Sequence, residues 1–248
     1  MPEITGITHT KPGTKKTVKG KKKRKSSVNY VRLYDHLTKL QKDVLGEVAN
    51  ISMGNSATTL SMMLNHPVNI TAPHVDVILR SDALEGYEGT CTFVQIHYIK
   101  GLSGSNVFVL KDEDMLCITD MMMGGAGKAG EMAFPELNEM HMSAASEAMN
   151  QMMGTSATSM SSMLATTVDI STPSLSRIDV DSVKTFDRMF HSPLDYFVRI
   201  TFHLVIDERI DSTMIQLYPI QFAVDMCKLF RKKKLDKKET VVITNEQG

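Results

Sequence analysis

Two short patterns in this sequence pair residues that can manage a water molecule and a partner's charge: Glu47 with Asn50, and Glu147 with Asn150. A carboxylate can seize an ammonium group on another molecule, and a carboxamide can both donate to water and accept from it. Neither group is a good nucleophile and no histidine lies on the same stripe, so this is no nucleophile–base–orienter triad. A metal site fails as well. The histidines form no HxxxH or similar spacing, and one Glu with one Asn supplies too few ligands. An isolated Glu-x-x-Asn on an arbitrary helix is ordinarily a solvated face. These two gain weight because they stand 100 residues apart inside a repeat.

In the first copy, Asp43, Glu47, Asn50 and Gly54 fall at i, i+4, i+7 and i+11, a spacing that lines them along one helical stripe. Val44, Val48 and Ile51 make an adjacent apolar stripe that can face a core. The second copy keeps Glu147, Asn150 and Gly154, with Ser143 in place of the Asp. Residues 43–75 match 143–175 without a gap at 13 of 33 positions, from Glu47 through Ser56-Ala57-Thr58 to Pro73. Such self-similarity implies two copies of one supersecondary unit. Two copies are too few for a solenoid, so one domain with approximate two-fold symmetry is expected, its site duplicated with it.

The elements that must position these residues are legible from periodicity. Leu33, Leu37, Leu40, Val44, Val48 and Ile51 recur at spacings of three and four, an amphipathic helix. Gly54 is expected to interrupt it or permit a close approach, with a second helical stretch over Ala57–Leu64 and a turn at Asn65-His66-Pro67. Strands are expected over Val75–Leu79, Thr90–Tyr98 and Asn106–Leu110, then a helix from Asp112 that stops at Gly124-Gly125. After a Gly- and Glu-containing connection the order repeats. Helices cover about 137–153 and 157–164, strands Leu175–Val180, Tyr196–Ile206 and Thr213–Leu217, and a last helix Ile220–Leu229 ends in the basic run Arg231–Lys234. The fold class is α+β, two helix–helix–strands–helix units over about 35–125 and 136–230 related by a pseudo-two-fold.

Composition narrows the function classes. The hydrophobic content of 42% suffices for a substantial core, with no Trp and 19 Met, read chiefly as helical core filler. Cys91, Cys117 and Cys227 lie far apart without CxxC spacing, which points to buried thiols in a reducing, cytoplasmic setting. No apolar run reaches membrane-spanning length, so no membrane insertion is expected. The zero net charge conceals an asymmetry: residues 1–25 hold nine Lys or Arg against Glu3, leaving 19 basic and 27 acidic residues for the rest. Residues 1–29 are expected to be a disordered basic arm, either an arm for anions or an acidic partner or a solubilising tail. Residues 30–230 form the folded domain, and 231–248 a charged tail or linker. No aromatics interleave with the lysines, which argues against nucleic acid. The small-residue runs after Gly54 and Gly154 lack the Lys and glycine spacing of a nucleotide-phosphate loop.

Asp-x3-Glu-x2-Asn-x3-Gly, followed by Ala57-Thr58 and then Pro73, resembles the CheC/FliY/CheX phosphatases of bacterial chemotaxis. The second copy, Glu147-Ala-Met-Asn-Gln-Met-Met-Gly-Thr-Ser-Ala-Thr, is similar to the FliY branch more than to CheC, as are Met121-Met-Met-Gly-Gly and Gln216-Leu-Tyr-Pro-Ile. The resemblance covers about residues 31–230. It implies long paired helices packed on a sheet, and removal of the phosphoryl group from the aspartate of phosphorylated CheY. It also implies that Glu47 and Glu147 each pair with a Lys of CheY, and that Asn50 and Asn150 orient the attacking water. No cofactor of the chain's own is implied, since Mg²⁺ belongs to the response regulator. Further implied partners are the flagellar switch proteins FliM, FliN and FliG, at the cytoplasmic face of the flagellar basal body. FliY-type relatives begin with an acidic–hydrophobic CheY-binding peptide and end in a FliN-like domain. Here a basic arm stands at one end and the chain stops soon after Leu229, as in a fragment or a shorter relative. The alternative is a non-catalytic switch scaffold resembling FliM, for which retention of both Glu-x-x-Asn pairs has no evident use.

Overall fold

The computed structural model of the chain describes residues 37–128, 136–180 and 196–245, and the side chains of these except at 72 and 233–245. The expected basic arm at 1–29, Leu33, part of the connection before Leu137 and the last three residues lie outside the described residues.

Each half begins with a long helix, α1 over Lys39–Leu64 and α3 over Glu139–Leu164. Both open on a capping box. The Thr38 side chain accepts from the Gln41 backbone while the Gln41 side chain returns to Thr38, and Asn138 and His141 do the same. Both close on a left-handed residue, Asn65 at φ 55° and Ala165 at φ 52°. The break expected at Gly54 is absent: each pair of expected helices is one uninterrupted helix. Glycine lowers helix propensity at a single position, but the flanking turns are packed on both sides of it, and packing outweighs that local deficit.

The described residues form seven strands: β1 Val68–Leu79, β2 Thr90–Lys100, β3 Gly104–Lys111, β4 Asp169–Ile170, β5 Ser174–Asp179, β6 Tyr196–Ile206 and β7 Ile210–Pro219. Helices α2 (Asp112–Met122) and α4 (Ile220–Asn245) follow the third long strand of each half. β1 starts earlier than expected, because an irregularity between Thr71 and His74 absorbs Pro73 without ending the strand. α4 runs past Leu229 through the basic run, where Lys, Leu and Glu favour the helix as far as Glu239, and it continues over the β-branched Thr240–Thr244 to Asn245 with no Gly or Pro to stop it.

The described strands form one sheet in the order β1-β6-β7-β3-β2-β4, with β5 also on β2, and every described pair is antiparallel. Exchanging the halves leaves this order unchanged. The pseudo-two-fold runs through the central β3–β7 pair, where Phe108 faces Gln216. The leading strands are swapped: β1 pairs with β6 of the other half, and β5 with β2.

The main core lies between the helices and one face of the sheet. It joins Leu45, Val48 and Met53 of α1, Met149, Met153 and Met160 of α3, and Phe108, Ile200 and Phe202 of the sheet. A smaller core covers the opposite face around Phe93, Val107, Val109, Phe197, Ile215 and Leu217. Burial on both faces is why β3 reads as an unbroken apolar run rather than an alternation. The three cysteines are buried and free, as their spacing implied.

Candidate functional site

α1 and α3 pack directly against each other. The Asn55 Nδ2 donates to Ser159 Oγ at 2.8 Å, and the Thr59 and Thr155 hydroxyls meet at 2.9 Å. These contacts are mates under the 100-residue repeat, and their pairing means that the helices run antiparallel and cross near Ala57 and Ala157. Ser56, fully buried, donates to the Met152 carbonyl at 2.8 Å, so small residues bring the backbones close. The close approach expected at Gly54 is thus made instead at Ser56 and its neighbours.

The crossing turns the opposite face of each helix outward. Asp43, Glu47 and Asn50 are all exposed, as are Ser143, Glu147, Asn150 and Gly154, while Gly54 is half-exposed. Leu40 and Ile51 were expected on the core stripe, yet they are 61% and 42% exposed. At 100° per residue they fall at the outer edge of the buried arc, which centres on Leu45, Val48, Ala49 and Ser52. Their neighbours on the outward stripe are Glu47 and Asn50. Met140, the counterpart of Leu40, is 62% exposed.

Each pair is therefore held on a rigid helix with its two side chains about one turn apart. The two pairs do not combine. Asn50 and Asn150 lie seven residues to opposite sides of the crossing, so they are separated by roughly 20 Å along the helices at a rise of 1.5 Å per residue. The arrangement is two sites, not one composite site. Gly46, Glu47, Asn50, Ile70, Thr71 and Pro73 line an open depression between α1 and β1. Four of these, Glu47, Asn50, Ile70 and Pro73, are identical in the second copy.

Among the described residues, Glu47, Asn50 and Asn150 have no side-chain hydrogen-bond partner. Glu147 does: its Oε1 accepts from Gln151 Nε2 at 2.8 Å. The equivalent of Gln151 is Ile51, so the two sites differ one turn from the carboxylate. Periodicity assigned Ile51 to the core, and nothing in the pattern flagged Gln151. Chemically, each site offers an exposed carboxylate to a cation, free at Glu47 and already sharing one oxygen with Gln151 at Glu147, and an uncommitted carboxamide to water, on a surface open enough for a macromolecule. Among the described residues no group of three or more His, Cys, Asp or Glu side chains could hold a metal ion, and no helix is long and apolar enough to cross a membrane.

The family model for CheC-like proteins matches residues 40–76 and 140–177, the two site helices with the strands after them. The flagellar motor switch phosphatase FliY of Bacillus subtilis (strain 168) is 41% identical over 216 residues, covering 86% of this chain and 56% of that protein. The chain thus spans little more than half the length of that relative. The crystal structure of Thermotoga maritima FliY matches with a TM-score of 0.73 at 37% identity, covering 79% of this chain and 98% of that one. The FliM middle domain of H. pylori shares the fold, with a TM-score of 0.58 at 13% identity over 78% of this chain and 99% of that one.

Proposed function

Because the chain belongs to the CheC-like family, together with FliY, we propose that it hydrolyses the aspartyl phosphate of a phosphorylated CheY response regulator in flagellar switch signalling. The observation that carries this reading is the duplicated, outward-facing Glu–Asn pair on a continuous helix, with neither the Asn50 nor the Asn150 carboxamide hydrogen-bonded to any described residue. An acyl phosphate is already activated, and its hydrolysis chiefly needs a water held in line behind phosphorus and charge stabilisation on the phosphoryl oxygens.

Glu47 or Glu147 binds an ammonium group beside the phosphoaspartate and so fixes the two proteins in register. The carboxamide of Asn50 or Asn150 then accepts from and donates to the attacking water. The water oxygen forms a bond to phosphorus, the bond from phosphorus to the aspartate oxygen breaks, and carboxylate and inorganic phosphate result. The Mg²⁺ that neutralises the phosphoryl oxygens is the response regulator's own, held by its carboxylates. Switch proteins such as FliM, FliN and FliG are the expected surroundings, at the cytoplasmic face of the motor.

The test is the lifetime of phosphorylated CheY with this protein at saturation. Wild type shortens it, and Asn50→Ala with Asn150→Ala restores the unassisted lifetime, a loss on the order of a hundredfold in rate for a mispositioned water, with unchanged circular dichroism. An unchanged lifetime with wild type would leave the FliM-like scaffold as the function.

A further inference from the structure

Gly54 and Gly154 have no reason within the described molecule to be glycine. Each lies inside a continuous helix, where glycine is the least favourable residue after proline because it surrenders the most backbone freedom. Neither adopts a left-handed conformation. Beyond its chain neighbours and its own turns of helix backbone, a Cβ built on either meets no described atom within 4 Å, so neither makes room for a packed neighbour. Gly46 in the same helix shows the contrast, since a Cβ there would touch Val75 Cγ2 at 3.8 Å. What Gly54 and Gly154 share is position: one turn beyond Asn50 and Asn150 on the outward stripe, in both copies.

We infer that the bare helix backbone at Gly54 and Gly154 is a contact surface for the phosphorylated receiver domain. The partner's surface around the phosphoaspartate seats against these turns more closely than any side chain allows. That approach brings phosphorus within reach of the water held by the neighbouring carboxamide. The inference rests on the phosphatase reading of the Glu–Asn pairs and adds a specificity-determining residue to each. It also explains why the small residue is kept on the solvent side of the helix, where packing within the chain is indifferent to it.

The experiment replaces Gly54→Ala and Gly154→Ala together and measures melting temperature, phosphoaspartate hydrolysis, and affinity for beryllofluoride-activated receiver. The methyl groups favour the helix, so the melting temperature rises by about 2–4 °C per substitution. An added methyl displaces the partner by an appreciable fraction of an ångström, so kcat/KM falls by at least about tenfold. Affinity falls with it, and Gly54→Leu with Gly154→Leu loses more. A purely structural glycine would give the opposite linkage, with stability and activity lost together, and that result overturns the inference. So does an alanine variant as active as an active wild type. If wild type itself neither binds nor hydrolyses, the reading of the Glu–Asn pairs falls first and carries this one with it.

Discussion

Glu47 and Glu147 occupy equivalent places on equivalent helices, yet their surroundings differ in a way that function should register. Gln151 holds Glu147, whereas Ile51 leaves Glu47 unengaged. Asp43 adds a second exposed carboxylate one turn before Glu47, where the other copy has Ser143. The first site therefore presents two carboxylates to a cationic partner surface and the second presents one, already shared with an amide. Interactions between exposed charges are screened within about 8 Å at physiological ionic strength. The single-site proteins should thus respond unequally to salt. In Asn150→Ala, which retains the first site, KM should rise with added salt about twice as steeply as in Asn50→Ala, which retains the second. Steady-state dephosphorylation between low salt and 0.5 M NaCl (roughly 30 Å down to a few Å of screening length) checks this. Equal slopes would mean that Asp43 does not face the partner.

At the scale of elements, the two site helices were copied with their ends, and the ends are not equally good. Asn65 and Ala165 both cap their helices in the left-handed region. Asparagine tolerates that conformation, but alanine at φ 52° places its Cβ against the following carbonyl, at a cost of about 1–2 kcal/mol. Ala165→Gly should therefore stabilise the fold by about 1 kcal/mol, read as a shifted urea midpoint with unchanged slope. The helices themselves were legible in the sequence because Glu, Asn, Gly and the small residues recur at a helical spacing twice. Their continuity through Gly54 was not, because a propensity deficit at one residue says nothing about the packed turns on either side. Leu40 and Ile51 misled for a related reason. The spacing that marks an amphipathic face tolerates residues at its margin, and the centre of this face, beside Leu45 and Val48, includes the small residues Ala49, Ser52 and Ser56, which apolar periodicity registers weakly or not at all. The swap of β1 and β5 into the opposite half is a pairing between residues 79 or more apart, and no local pattern encodes it. The Glu–Asn pairs were legible as residues and as a repeat, whereas Gln151 and the open space beside Gly54 emerge only once neighbours are placed.

That swap governs how the molecule as a whole should come apart. Neither half owns a sheet of its own: among the described strands β1 has only β6 beside it, and β5 only β2, while β3 and β7 close the centre. Removing either half from the other would leave β2 and β3 as a bare hairpin, or β6 and β7, and an isolated hairpin is marginal in water. The helices reinforce the coupling, since α1 and α3 bury their small-residue seams against each other. Two homologous halves should thus unfold as one unit, and the three cysteines report on both of them. Cys91 in β2 and Cys117 in α2 belong to the first half, and Cys227 in α4 to the second. Burial pushes each thiol up to about 11, with nearby carboxylates adding to the effect at Cys91 and Cys117. The native protein at pH 7.5 should therefore react negligibly with a thiol-specific disulfide reagent, because the thiolate is the reactive form. In a urea titration, the three thiols should become reactive together, at the midpoint seen by far-UV circular dichroism, as a two-state transition requires. Exposure of Cys227 at a lower urea concentration than Cys91 and Cys117 would show that the second half melts on its own. The interlocked sheet would then not be what binds the two sites into one molecule.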